Sequence, residues 1–212
     1  MIKLEKVSKE IDKTIVLKDI TYTFEKGKTY ALIGRNGSGK TMLLRLLCNL
    51  IKPTSGTILI NDKKMDEEFY KYNFGVLIEK PKFLNELTGY ENLELLASIK
   101  KIITKKDILD ILDKVCLLEE KDKKYSKYSL GMKQKLALAQ ALMEKPNIIL
   151  LDEPFNGLDT KSVDKIRKLI LSIKNKDTLI IVATHNKEDV EILCDEEIFL
   201  EEGKIVNSKK LT

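Results

Sequence analysis

No window of the sequence approaches the roughly 18 consecutive apolar residues of a membrane span, and Met1-Ile2-Lys3-Leu4-Glu5 lacks the apolar core of a signal peptide. Any membrane role is therefore expected to run through a partner. Cysteine is scarce: Cys48, Cys116 and Cys194 are odd in number, lack a close pairing, and each falls in an apolar helical pattern where a free thiol serves as a small hydrophobe. This excludes a disulfide framework and favours a reducing compartment. Charge of one sign is lacking too, because the net +5 comes from 38 Lys+Arg interleaved with 33 Asp+Glu. The longest basic run, Lys121 to Lys127, is broken by Asp122, Tyr125 and Ser126, so no nucleic-acid partner is expected. Internal repeats, low-complexity stretches and long linkers are also missing. With 43% hydrophobic residues, the 212-residue chain is sized for one domain that has room for an inserted lobe.

What is present alternates between strand and helix patterns. Ile15-Val16-Leu17 and Ile20 to Phe24 read as short strands before a turn at Gly27, forming a mainly antiparallel edge beside the ligand. Tyr30-Ala31-Leu32-Ile33 is a continuous apolar strand, and Met42 to Leu47 opens an amphipathic helix that ends before Pro53. Thr57 to Ile60 is another strand, turning at Asn61-Asp62. From about residue 82 to 145 the pattern is helical, starting with a capping box at Thr88-Gly89-Tyr90-Glu91, and a second helix follows Thr104 with Asp107 at its third position. Ile148 to Leu151 and Leu179 to Ala183 are buried strands separated by a helix through Val163, Ile166, Leu169, Ile170 and Ile173. Beyond them lie a helix around Glu188 to Leu193 and a hairpin-like stretch through Ile198-Phe199-Leu200 and Gly203, with no C-terminal regulatory domain expected. The alternation argues an α/β core with a mainly parallel sheet.

Between the strand at Ile33 and the helix at Met42 stands Gly34-Arg35-Asn36-Gly37-Ser38-Gly39-Lys40-Thr41, the full phosphate-loop pattern in the strand, loop and helix context it requires. Its glycines let successive N–H groups face a phosphate at a helix N-terminus; Lys40 would contact the β- and γ-phosphates, and Thr41 would offer its hydroxyl to Mg2+. Leu150-Leu151-Asp152-Glu153-Pro154 ends a buried strand with two acids. Asp152 suits a metal-bound water and Glu153 suits general-base work on an attacking water. His185, the single histidine, follows the strand ending at Ala183, where ligands gather, and is assigned to the site with Glu153 and Lys40.

Tyr128-Ser129-Leu130-Gly131-Met132-Lys133-Gln134-Lys135 leads into a helix, with Ser129 a good N-cap and Gly131 permitting close backbone approach. It is a second anion site on the same chain. This segment resembles the signature of ABC ATPases in a variant form, Ser129-Leu130-Gly131-Met132. Phosphate loop, signature, acidic pair and histidine stand in the family's order, and the resemblance runs from about Ile2 to Val206. It implies a P-loop NTPase core with an N-terminal antiparallel β subdomain and an inserted α-helical subdomain. It also implies ATP and Mg2+ as cofactors, a head-to-tail homodimer, and a membrane permease partner at the cytoplasmic face. In such dimers the signature of one chain covers the nucleotide on the other. Asn156-Gly157-Leu158-Asp159 resembles the loop that crosses the interface, with Asp159 carried over.

Two positions depart from the family pattern. Phe74 to Ile78 runs into Glu79 where a glutamine is usual; its carboxylate still suits a metal or its water, but adds negative charge that Mg2+ or Lys80 would have to offset. The adenine platform falls on Ile11, which would exchange aromatic stacking for apolar contact and forfeit about 1 kcal/mol; Tyr22 and Phe24 are alternatives better assigned to the sheet. Glu79, the variant signature and Leu87 to Leu93 together look like bacitracin- and lantibiotic-type exporters. A permease would dock near Phe83 to Leu96. The alternative is a soluble ABC ATPase acting on ribosomes or DNA.

Overall fold

A computed structural model of the chain describes residues 1–79 and 81–211. Its larger sheet joins β3 (Thr29–Ile33), β6 (Phe74–Leu77), β7 (Ile148–Asp152), β8 (Leu179–Ala183), β9 (Glu196–Glu201) and β10 (Lys204–Lys210) in the order β10-β9-β3-β8-β7-β6. All neighbours are parallel except β9 and β10. The apolar runs of the central strands follow from burial on both faces. In β7, Ile149 and Leu151 join a cluster with the helices between β6 and β7, whereas Ile148 and Leu150 join a second cluster with the N-terminal strands. In β8, Ile180 and Val182 divide from Leu179, Ile181 and Ala183 in the same way.

The smaller sheet is wholly antiparallel, with β1 (Ile2–Ile11), β2 (Thr14–Phe24), β4 (Ser55–Ile60) and β5 (Lys63–Lys64) in the order β2-β1-β4-β5. Here the structure corrects the sequence reading: β1 was not anticipated, and the two short pieces at Ile15 and Ile20 belong to one strand. Bulges explain both. Register shifts between Leu4 and Val7, and positive φ at Lys6 and Asp19, re-phase the inward residues to Ile2, Leu4 and Val7 on one strand and Leu17, Ile20 and Phe24 on the other. Strict period-two alternation is therefore broken where the strands are longest. Tyr22 and Phe24 pack with Tyr30 inside this region, and the Tyr22 hydroxyl donates to Glu196 Oε1 at 2.5 Å, so neither is an adenine platform.

Seven helices are described: α1 (Lys40–Leu47), α2 (Met65–Glu68), α3 (Gly89–Lys100), α4 (Lys105–Lys114), α5 (Leu130–Leu142), α6 (Thr160–Ile173) and α7 (Lys187–Leu193). The expected capping box forms, with Thr88 Oγ1 accepting from Glu91 N at 3.1 Å and Glu91 Oε2 from Thr88 N at 2.7 Å, and Thr104 and Asp107 form a second one at the helix start expected there. Burying Leu93 of α3 and Ile108 and Leu112 of α4 contributes about 1.5–3 kcal/mol each, which holds these helices where propensity alone would not. The cysteines do not lie within helices as expected. Cys48 and Cys194 are the C-caps of α1 and α7, their thiols pushed up to about 11 and about 12 by burial, and Cys116 lies beyond α4 with φ 59°. Among the described residues no helix is long and apolar enough to cross a membrane.

Candidate functional site

Strand register brings the chemistry to one edge. Leu32 of β3 pairs with Ala183 of β8, Asp152 of β7 pairs with the same Ala183, and Leu77 of β6 pairs with Leu151. The segments starting at Gly34, Glu153, Thr184 and Ile78 consequently emerge together beyond the C-terminal ends of the strands, where open α/β sheets hold their ligands. A cavity of about 630 Å³ opens there, lined by Asn36 to Met42, Asp152, Glu153 and Asn156. Thr14, Ile15 and Val16 of β2, Glu79, Gln134, and Glu202 and Gly203 complete it.

The loop from Gly34 to Thr41 is shaped to present backbone donors. Gly39, the N-cap of α1, has φ 106°, a conformation that L side chains rarely adopt, and supplies no side-chain cap, so the first N–H groups of α1 are left for a ligand. Lys40 is buried, and its Nζ donates to the carbonyls of Gly34 at 2.6 Å and Arg35 at 3.3 Å. Ser38 has a buried hydroxyl without a partner. Thr41 Oγ1 donates to Asp152 Oδ2 at 2.6 Å, which joins two of the three residues expected to hold the metal; the third, Glu79, is ion-paired with Arg45 instead. Among the described residues no group of three or more His, Cys, Asp or Glu side chains is arranged to hold a metal ion. One hydroxyl and one carboxylate suit Mg2+, which takes few protein ligands and completes its sphere from phosphate and water.

Glu153 has φ 46°, its N–H donates to Ala183 O at 2.9 Å, and its Oε1 lies 3.0 Å from Nδ1 of His185. The structure thus joins two residues that the sequence separates by thirty-two positions. His185 itself is 72% exposed and is not among the residues lining the cavity, which it meets only through Glu153. Gln134, quoted with the signature but given no role by the sequence reading, donates from Nε2 to the carbonyls of Glu153 at 3.2 Å and Pro154 at 3.0 Å. No sequence signal marks that contact.

Glu79 lines the cavity with φ 61°, and its carboxylate is ion-paired with Arg45 of α1. The compensating charge is therefore Arg45, a partner not anticipated; Lys80 lies outside the described residues. Ile11, the expected adenine contact, is not among the residues lining the cavity. It closes the β1–β2 hairpin opposite Thr14, past a turn at Asp12 and Lys13 with φ 48° and 64°, and it is Ile15, 56% exposed on the far side of that turn, that faces the cavity.

Ser129 to Met132 lie outside this cavity. Ser129 is exposed and caps α5, its Oγ accepting from Met132 N at 3.3 Å, and Leu130 is 57% exposed. Asp159 is likewise not in the cavity: it caps α6, Oδ1 accepting from Ser162 N at 2.9 Å and Oδ2 from Ser162 Oγ at 2.6 Å, and these hydrogen bonds hold its carboxyl down at about 2.

Comparison with known proteins agrees with this geometry. A family model described as ABC transporter matches residues 17–156. An uncharacterized ABC transporter ATP-binding protein of Bacillus subtilis (strain 168), YybJ, is 44% identical over 100% of this chain and 97% of its own length. The bacitracin transport ATP-binding protein BcrA of Enterococcus faecalis is 35% identical, covering 100% of this chain and 70% of that protein. The lantibiotic transport ATP-binding protein SrtF of Streptococcus pyogenes is 33% identical, with 99% and 91% covered. Among solved structures, the ATP-binding cassette MJ0796, a dimer in a post-hydrolysis state bound to ADP and Pi, superposes with TM-score 0.91 at 28% identity over 100% of this chain and 99% of that one. A cavity built on a phosphate loop, in a fold that superposes end to end on such a cassette, and a family match across most of the sequence make this chain a member of the ABC transporter family, an ATP-binding ATPase subunit.

Proposed function

We propose that the chain powers export of a peptide antibiotic through a separate membrane permease, working at the cytoplasmic face as a head-to-tail homodimer with ATP between its subunits. The observation that carries this reading is the pair of helix N-termini: α1 opens inside the phosphate cavity, whereas α5 opens on the surface at Ser129, away from it. A second copy would bring its own Ser129 to Met132 over the first copy's cavity.

Within each half, the backbone of Gly37 to Thr41 and the ammonium of Lys40 hold the phosphates, Ile15 takes the adenine by apolar contact, Glu153 accepts a proton from the attacking water, and His185 orients Glu153 and the γ-phosphate. Thr41 and Asp152 would hold Mg2+, which supplies neutralising charge to the phosphate oxygens. Asp159 acts beside the interface by fixing the start of α6. The peptide-antibiotic cargo is supported by Glu79, the variant signature and the likeness to BcrA and SrtF. For the permease, a groove of about 320 Å³ lined by Pro81, Lys82, Phe83, Tyr125, Leu130 and Lys133 offers an aromatic floor between the signature and the start of α3.

Membrane fractionation with and without a co-expressed candidate permease from a neighbouring reading frame tests this reading. The chain should pellet with membranes only when the permease is present, and cells lacking the pair should become more sensitive to bacitracin or a lantibiotic than to an unrelated antibiotic. Sedimentation with ribosomes or DNA instead would sink the transport reading.

A further inference from the structure

Gly131, Gln134 and Lys135 stand at i, i+3 and i+4 on one face of α5. That face grips the segment after β7 at successive points. A Cβ at Gly131 would lie 2.8 Å from Gly157 O, Gln134 Nε2 donates to the carbonyls of Glu153 at 3.2 Å and Pro154 at 3.0 Å, and Lys135 Nζ lies 3.4 Å from Asp159 Oδ2. Gln134 lines both the phosphate cavity and the groove beside Phe83.

We propose that Gln134 is a positioning residue that couples the signature helix of each chain to the Glu153 carboxylate of the same chain. The inference rests on the reading of Glu153 as the proton acceptor and of Ser129 to Met132 as the cover for a second copy's nucleotide.

Glu153 adopts a left-handed backbone conformation, which a non-glycine residue keeps only when its surroundings over-determine it. Here the two ends of the residue are held by different elements. Its N–H is fixed by Ala183 of β8, which belongs to the rigid sheet, and its carbonyl is fixed by Gln134 of α5. Pro154 has no N–H with which to anchor itself, so the second Gln134 bond, to its carbonyl, holds the turn that follows. Any displacement of α5, when a nucleotide of the second copy reaches Ser129 or a partner fills the groove, is passed to the peptide planes flanking Glu153. The direction of the carboxylate then follows the state of the signature.

Substitution of Gln134 in the full-length chain tests this, with ATP affinity, ATP turnover at saturating protein and thermal midpoint read together. Gln134→Met keeps length and helix propensity but removes both donors. Turnover should fall about 10- to 100-fold, the scale of a small misplacement of a catalytic group, while ATP affinity and thermal midpoint stay close to wild type. Gln134→Lys, which restores a donor, should regain part of the loss. Wild-type turnover in Gln134→Met overturns the proposal, and so does a loss of ATP affinity parallel to the loss of turnover, or a lysine variant no better than the methionine one. Should Gln134→Met fail to fold, Gln134→Glu carries the same test, because a carboxylate facing two carbonyls must lower turnover further still. Glu153→Gln run alongside separates the two readings. Slow turnover there with normal turnover in Gln134→Met rejects the coupling alone, whereas normal turnover in Glu153→Gln rejects Glu153 as the base.

Discussion

The helix starts of α1 and α5 share a chemistry, since each follows a glycine-bearing or hydroxyl-bearing turn and leaves N–H groups at a dipole end that favours anions. Their surroundings are opposite. At α1 the N-cap is Gly39, which offers no side chain to the helix, and the neighbouring Lys40 is buried in a cavity walled by β2, β7 and the β9–β10 turn. At α5 the N-cap Ser129 already satisfies Met132 N, and the turn is exposed. One start is completed by its own chain and left unsatisfied for a ligand. The other is satisfied locally and exposed, which suits the proposed site shared between two copies.

The largest expected effect separates chemistry from binding within the completed site. Glu153→Gln should bind ATP as wild type does while turnover falls about 10²- to 10⁴-fold, the usual loss on removing a general base, measured by steady-state phosphate release beside ATP titration. Lys40→Ala should reverse that profile, losing about 10- to 100-fold in ATP affinity through the charge-assisted contacts it removes; unchanged affinity by calorimetry would count against the α1 start as the phosphate site. Gly131→Ala acts at the other start. Its Cβ would sit 2.8 Å from Gly157 O, so the turn must shift, and turnover should fall about tenfold while ATP binding by an isolated chain is unaffected. An equal loss of ATP affinity would erase the distinction between the two starts.

Smaller effects come from helix starts that hold no ligand. Thr88→Ala removes half of the capping box of α3 and should lower stability by about 1 kcal/mol in urea unfolding, with ATP affinity untouched. Asp159 is the cap of α6, and its carboxyl is held down at about 2 from 3.8 by the Ser162 hydroxyl and backbone N–H. A depressed carboxyl stabilises the fold fully above its unfolded value, so this contribution should persist at neutral pH and be lost as pH falls from about 4 through about 2. The Ser162 amide resonance followed by NMR would report it; a shift centred near 4 would mean that the cap is not formed.

Much of the site was legible because its parts are contiguous. The phosphate loop needs glycines, a lysine and a threonine in eight successive positions, and Asp152 with Glu153 directly ends an apolar strand, so local pattern and final geometry coincide. The box at Thr88 and the helix start at Thr104 were legible for the same reason, their partners being three residues away. Ile11 and Ile15 mark where legibility ended. Both are isoleucines flanking one turn, and only the hairpin at Asp12-Lys13 decides which of them faces the cavity. The strand from Ile2 to Ile11 was missed because its bulges interrupt the alternation by which a half-buried strand is read.

The sequence by itself determined that this chain holds ATP through a phosphate loop, carries an acidic pair and a histidine, and bears a second capped helix start at Ser129, because each is written in a short run of residues whose chemistry needs no distant partner. Tertiary structure alone decided that Arg45 answers Glu79, that Glu153 meets His185, and that Gln134 grips the carbonyls of Glu153 and Pro154. Each of these contacts joins residues from different elements, and strand register and helix packing, which no local pattern encodes, set whether they meet.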